Sequence, residues 1–221
     1  MRATYREEPC RTALNRVRGM GFRWSLNPYT GCVHRCAFCY VRGFERRADR
    51  PADERYGSSV RVKVNVVEVL RSELRRRTWK RETVAIGAAT DPYQPAEGRY
   101  RLTRGCLAAL ADSRTPISLI TRGPLVVRDR DVLAHASRRA NVTVSISIAT
   151  LDDSVSSRLE PGVAPPRQRL RASAELSEVG VAAGVALAPV LPGLTDAPRE
   201  MAAVLRAARE AGATHAWSNV L

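Results

Sequence analysis

From Thr83 onward the chain repeats one beat: a short apolar run, a turn, then an amphipathic stretch of ten or more residues. The apolar runs fall at Thr83–Gly87, Pro116–Ile120, Asn141–Ile148, Val185–Val190 and His215–Val220. Helical stretches lie near 102–111, 128–139, 166–179 and 197–211. Strands separated by helices of that length cannot form hairpins. They require parallel pairing with right-handed crossovers. Upstream, Phe22–Leu26 supplies a first strand that ends in the turn signal Asn27-Pro28-Tyr29-Thr30-Gly31. Val66, Val67, Leu70 and Leu74 share one face of a helix near 64–76. Six strands and five helices predict an α/β fold, an open partial (β/α)6 barrel of parallel strands. In such folds the chemistry sits on loops at the C-terminal ends of the strands.

Gly31–Tyr40 occupies that position after the first strand and carries Cys32, Cys36 and Cys39 with the spacing Cys-x3-Cys-x2-Cys. Five cysteines, three of them within eight residues, do not form a disulfide framework. A loop this short can wrap three corners of an iron–sulfur cubane. Electron-transfer clusters normally use four thiolates, and no fourth cysteine is near, so three ligands leave one iron open. Zinc with His34 as a fourth ligand is the competing reading, but two-residue gaps on either side suit a tetrahedral site poorly. Cys106, in an apolar helical run, reads as a buried structural thiol, and Cys10 as an incidental surface thiol.

The three cysteines, with aromatic Phe38 before the last and parallel β-α units behind them, resemble the signature of the radical S-adenosylmethionine superfamily. Trp24–Tyr29, Gly87–Glu97, Leu119–Arg122, Ser145–Ile148, Leu159-Glu160-Pro161 and Ala188–Pro192 are similar to the branch related to spore photoproduct lyase, and span most of residues 20–221. The resemblance implies a 4Fe–4S cluster and S-adenosylmethionine as cofactors, with an external electron donor. It implies lyase-like chemistry started by a 5′-deoxyadenosyl radical. It places Thr90 and Asp91 at the cofactor ammonium, Arg122 at its carboxylate, and Ser145 and Ser147 at the ribose hydroxyls. Pro189 would lie beside the adenine. Arg122 stands where a lysine is common in the branch, which keeps the charge and changes the geometry. The cysteine that spore photoproduct lyases use as hydrogen donor has no counterpart, since no cysteine lies between Cys39 and Cys106. Tyr40 and Tyr93 are the alternative hydrogen relays.

The net charge is +14, and residues 1–81 carry 20 of the 36 Lys and Arg but only 8 of the 22 Asp and Glu. That asymmetry suggests nucleic acid as substrate or partner. Radical modification of a peptide or small molecule, and a non-catalytic iron–sulfur nucleic-acid-binding module, stand as alternatives. No stretch is long and apolar enough for a membrane span, and Met1–Arg11 has no apolar core of a secretory signal, so the cytoplasm is the expected compartment. Residues 1–21 read as a basic leader, 22–221 as the core and Glu45–Ser59 as a mobile surface loop. The last strand ends at the C-terminus with no helix after it. It is therefore expected to leave an apolar edge uncovered, as in an incomplete copy of a longer, aggregation-prone enzyme.

Overall fold

The computed structural model describes residues 3–221. In chain order it begins β1 (Thr4–Glu8), β2 (Leu14–Arg16), β3 (Trp24–Leu26), β4 (Tyr29–Thr30) and α1 (Val41–Arg47). There follow β5 (Ser59–Lys63), α2 (Val66–Leu74), β6 (Val84–Ile86), α3 (Ala96–Tyr100), α4 (Leu102–Asp112) and β7 (Ile117–Thr121). A 3-10 turn (Pro124–Asp129) precedes α5 (Arg130–Ser137) and β8 (Val142–Ser147). The chain closes with α6 (Asp153–Leu159), α7 (Pro166–Glu178), β9 (Ala182–Val190), α8 (Pro198–Glu210) and β10 (His215–Val220).

The main sheet has the order β10-β9-β8-β7-β6-β3-β2. Its six strands from β3 to β10 pair in parallel, and β2 alone runs antiparallel on β3. This is the open partial barrel that the alternation of strands and helices requires. Val144, Ile146, Val185 and Leu187 are buried on the central strands, and Leu107, Leu110, Leu133, Leu176 and Val204 pack from the helices. Burial on both faces explains why these strands read as apolar runs rather than alternating patterns.

Three expectations need correction. The stretch set apart as a leader is woven into both sheets: β1 pairs with β5, and β2 extends the main sheet with Ala13 and Leu14 buried beside it. The stretch 45–59 is tied down, not loose. Arg50 clamps Glu45 through Nε (2.5 Å) and Nη2 (3.0 Å), Tyr56 is buried, and Arg42 stacks over the Tyr56 ring. Such anchors are single contacts with no period, so a polar stretch hides them. Cys10 is half-buried against the core, held by Asn65, which accepts from its N–H and donates to its carbonyl. Cys106 is buried as expected. β10 pairs only with β9 and leaves Ala216–Val220 exposed, while β2 lies at the opposite edge of the sheet.

Candidate active site

Gly31 follows β4, and the next nine residues form an irregular loop over the C-terminal ends of β6 and β7. Cys32, Cys36 and Cys39 all line one pocket there, together with His34, Tyr40, Tyr56, Gly87–Asp91 and Ile120–Arg122. All three thiols are free; Cys32 and Cys36 are buried and Cys39 is half-buried.

The loop is held by backbone contact on two sides. Ala37 N–H donates to Leu159 O (2.8 Å) and Gly162 N–H to His34 O (3.1 Å). A Cβ on Gly162 would stand 2.4 Å from Val33 O, and one on Gly57 would stand 2.3 Å from Cys32 O. Glycine is required at both positions because backbone meets backbone. Gly162→Ala is therefore expected to push the loop off its seat. We expect a destabilisation of about 1–3 kcal/mol, and a lower iron content after reconstitution, measured by thermal unfolding and iron analysis.

On its third side the loop rests on Gln94, which is fully buried. Its Nε2 donates to Gly31 O (3.0 Å) and to Thr90 Oγ1 (2.9 Å), and its Oε1 accepts from Val33 N–H (3.2 Å). Thr90 Oγ1 itself donates to Gly31 O (2.7 Å). Asp91 accepts from Tyr93 N–H (2.9 Å), Thr121 Oγ1 (2.7 Å) and Arg122 N–H (2.7 Å). Its Oδ2 also lies 3.3 Å from His34 Nδ1, off the line of a hydrogen bond. Burial alone would raise the Asp91 carboxyl, but His34 and these donors outweigh it and hold it at about 2. Burial would lower His34, but Asp91 and Cys32 lift it to about 10. Thr90 and Asp91 thus reach the pocket wall with their polar atoms committed to the protein: they brace the cysteine loop. That differs from the direct contact with a cofactor ammonium that the resemblance implies.

Arg122 enters the same wall from the end of β7. Its Nε donates to Glu160 Oε1 (2.6 Å) and its Nη2 to Ala188 O (2.7 Å), while the guanidinium lies 5.5 Å from the Phe38 ring. Nη1 has no protein partner among the described residues. Glu160 also pairs with Arg169 Nη2 (2.8 Å), and Arg169 donates to Ser147 O (2.8 Å) and Ser156 Oγ (2.8 Å). Burial acts against the charge on Glu160, but Arg122 and Arg169 hold its carboxyl below the usual range. Sequence reasoning missed this relay, although Leu159-Glu160-Pro161, a carboxylate in an otherwise apolar setting, was visible. Gln94 lies inside the Gly87–Glu97 motif but was not singled out there; Tyr56, whose hydroxyl lies 3.3 Å from Cys39 Sγ, left no comparable signal.

The other expected site residues differ in their neighbours. Ser145 Oγ meets His215 Nε2 (3.0 Å) and accepts from Trp217 Nε1 (3.0 Å). Gly184, between them in the sheet, has no side chain to block that reach. Ser145 is thus tied to β10, away from the cysteine pocket. Ser147 is buried at the end of β8, and Pro189 is buried beside the Ala188 carbonyl that anchors Arg122. Tyr93 is in the core with its hydroxyl on Asp129 Oδ2 (3.1 Å), so it does not reach the pocket. Tyr40 does line it, 54% exposed, and donates to Ala88 O.

The donor set fits an iron–sulfur cluster. Burial, partly offset by Arg122, pushes the Cys36 thiol up to about 12, so a thiolate there needs a cation bound to it. Among the described residues no three His, Cys, Asp or Glu are gathered as ligands of one ion.

A family model described as the Radical SAM superfamily matches residues 26–205. An uncharacterized protein of Mycobacterium tuberculosis is 41% identical over 214 residues, 96% of this chain and 63% of its own length. A radical SAM Nα-GlyT isomerase of Pseudomonas phage M6 is 29% identical over 171 residues, 76% of this chain and 33% of that protein. Among solved structures, a spore photoproduct lyase variant has a TM-score of 0.73 at 15% identity, over 96% of this chain and 58% of that one. Another variant, with bound AdoMet and dinucleoside spore photoproduct, has a TM-score of 0.66 at 18% identity, over 85% of this chain and 52% of that one. The chain thus spans less than two thirds of these relatives' lengths. No helix among the described residues is long and apolar enough to cross a membrane.

Proposed function

Because the chain belongs to the radical S-adenosylmethionine superfamily, whose cofactors are a 4Fe–4S cluster and S-adenosylmethionine, we propose that it cleaves that cofactor reductively and acts on a nucleic acid. Cys32, Cys36 and Cys39 would hold the cluster. The observation that carries this reading is their convergence, from one braced loop, on one pocket at the strand ends. When bound and reduced by an external donor, the cofactor pair supplies a 5′-deoxyadenosyl radical able to abstract hydrogen.

The chain's own residues bind and orient. Arg122 is fixed by Glu160 and the Ala188 carbonyl, with Nη1 left for the cofactor carboxylate. Phe38 packs under the same guanidinium. Thr90, Asp91 and Gln94 keep the thiols in register rather than touching the cofactor. Of the two candidate relays, Tyr40 alone lines the pocket. Nucleic acid is favoured by the basic first third of the chain and by the substrate classes in the relatives' names. Repair of thymine photoproducts through a cysteine donor is not part of the proposal, because Gly87–Thr90 and the rest of the pocket offer no further cysteine.

Anaerobic reconstitution of the full-length protein with iron and sulfide, then dithionite and S-adenosylmethionine, tests the reading. We expect 5′-deoxyadenosine in proportion to cluster content, and a labelled product in nucleic-acid digests. A protein with a full cluster that forms no 5′-deoxyadenosine would overturn it.

A further inference from the structure

A strongly basic groove lies away from the thiols. α2 ends at Leu74 and runs into Arg75-Arg76-Arg77-Thr78-Trp79-Lys80-Arg81 before β6 begins at Val84. With the end of α4, this segment walls an open groove of about 600 Å³, lined by Arg71, Arg75, Arg76, Arg77, Lys80 and Arg81. Ligand sites of that size are mostly apolar. This one is cationic, with Asp112 as its only carboxylate.

The groove opens where β6 and β7 begin, and the cysteine pocket lies where they end. The length of β6, about 10 Å at the usual rise per residue, separates the two. The groove is therefore not an extension of the pocket.

The sequence supplies carboxylates nearby, and the fold takes them away. Glu73 is buried and accepts from Ala13 N–H (3.3 Å) and Leu14 N–H (2.9 Å). Glu82 accepts from Arg23 Nη1 (2.9 Å) and Trp24 Nε1 (2.7 Å). None of the six groove cations has a carboxylate within 4.0 Å among the described residues, and all six are exposed. Folded surfaces usually intersperse charges, because clustered like charges repel. The wall is also set in place: Trp79 Nε1 donates to Thr115 Oγ1 (3.0 Å), the indole packs edge-on against Trp24 at 5.6 Å, and Trp79 N–H donates to Arg76 O (2.9 Å).

We propose that this groove binds the phosphodiester backbone of the nucleic acid that flanks the reacting nucleotide. The inference rests on the nucleic-acid reading above and extends it to a second, remote contact. Five of the six cations are arginines, whose planar forks suit phosphate oxygens. None of the large exposed apolar residues lies in the groove, so nothing there would insert into a membrane. A ligand that occupies both places must extend past the reacting nucleotide.

The test compares the reconstituted full-length protein with R75Q/R76Q/R77Q and with a charge-matched control, R167Q/R171Q/R206Q, whose exposed arginines lie on α7 and α8. Anisotropy of a labelled single strand of about 20 nucleotides, long enough to span several phosphate contacts, is read across a salt series. One arm uses DNA and the other RNA of the same sequence, which identifies the natural polymer. We expect the groove variant to bind about ten-fold or more weakly, with a salt slope reduced by about 2, the effect of losing three single-strand phosphate contacts. The control should bind like the wild type, and all three should melt alike and form 5′-deoxyadenosine equally without substrate. Equal loss in control and groove variant, or no loss in either, overturns the groove while leaving the nucleic-acid substrate intact. No binding of either polymer by the wild type also overturns it. The product search in digests then judges the substrate separately.

Discussion

Replacing Cys32, Cys36 or Cys39 singly by alanine should abolish the broad brown absorbance of the reconstituted protein and its reduced-state EPR signal. Cys10→Ala and Cys106→Ala should leave both intact. The reason is local. Three thiols from one loop face one pocket, and no other thiol lines it, so the loss of one cannot be made good by another. The Cys36 thiol is raised by burial, partly offset by Arg122, so a bound iron would be what keeps it a thiolate. Cys106 belongs to the packed core and Cys10 packs against it; neither lines the pocket. Full cluster content in Cys36→Ala would remove the basis of the proposed function.

The second large effect is expected at Glu160. Its carboxylate is shared by Arg122 and Arg169, and the Arg169 side chain is only 1% exposed. Removing one partner of a buried charge pair typically costs about 3–5 kcal/mol, because the remaining charge is left uncompensated. Glu160→Ala should therefore lose about that much stability in denaturant unfolding, and should also loosen Arg122 and weaken cofactor binding. The double variant Glu160→Gln with Arg169→Met should lose less than the sum of its parts, since it removes the more buried of the two orphaned charges with its partner. Additive losses would mean that the two residues act independently. The pH dependence has a definite sign. Glu160 is held below its ordinary 4.5, so its contribution is fully present above that value and is lost as pH falls through the depressed one.

The sequence by itself determined the alternation of strand and helix, because a parallel sheet needs a crossover between every pair of strands. It also determined the candidate ligand set, because Cys32, Cys36 and Cys39 lie within eight residues and their spacing alone limits what they can wrap. Boundaries of the later strands differ from the expected ones by only a few residues, since apolar runs buried on both faces mark themselves. Tertiary structure decided the rest. Thr90 and Asp91 lie where a cofactor contact is expected, yet Gly31, His34, Thr121 and Arg122 meet their polar atoms first. Ser145 shares a strand face with Ser147, yet His215, 70 positions away, crosses Gly184 to reach it. Glu160 meets Arg122 from 38 positions away, and Glu73 leaves the groove arginines to cap Ala13 and Leu14 some 60 positions earlier. Periodicity and spacing report on neighbours along the chain. Which partner a charged or hydroxyl side chain finds depends on segments brought together only when the sheet closes its order, and such a pairing leaves no repeating trace in the sequence.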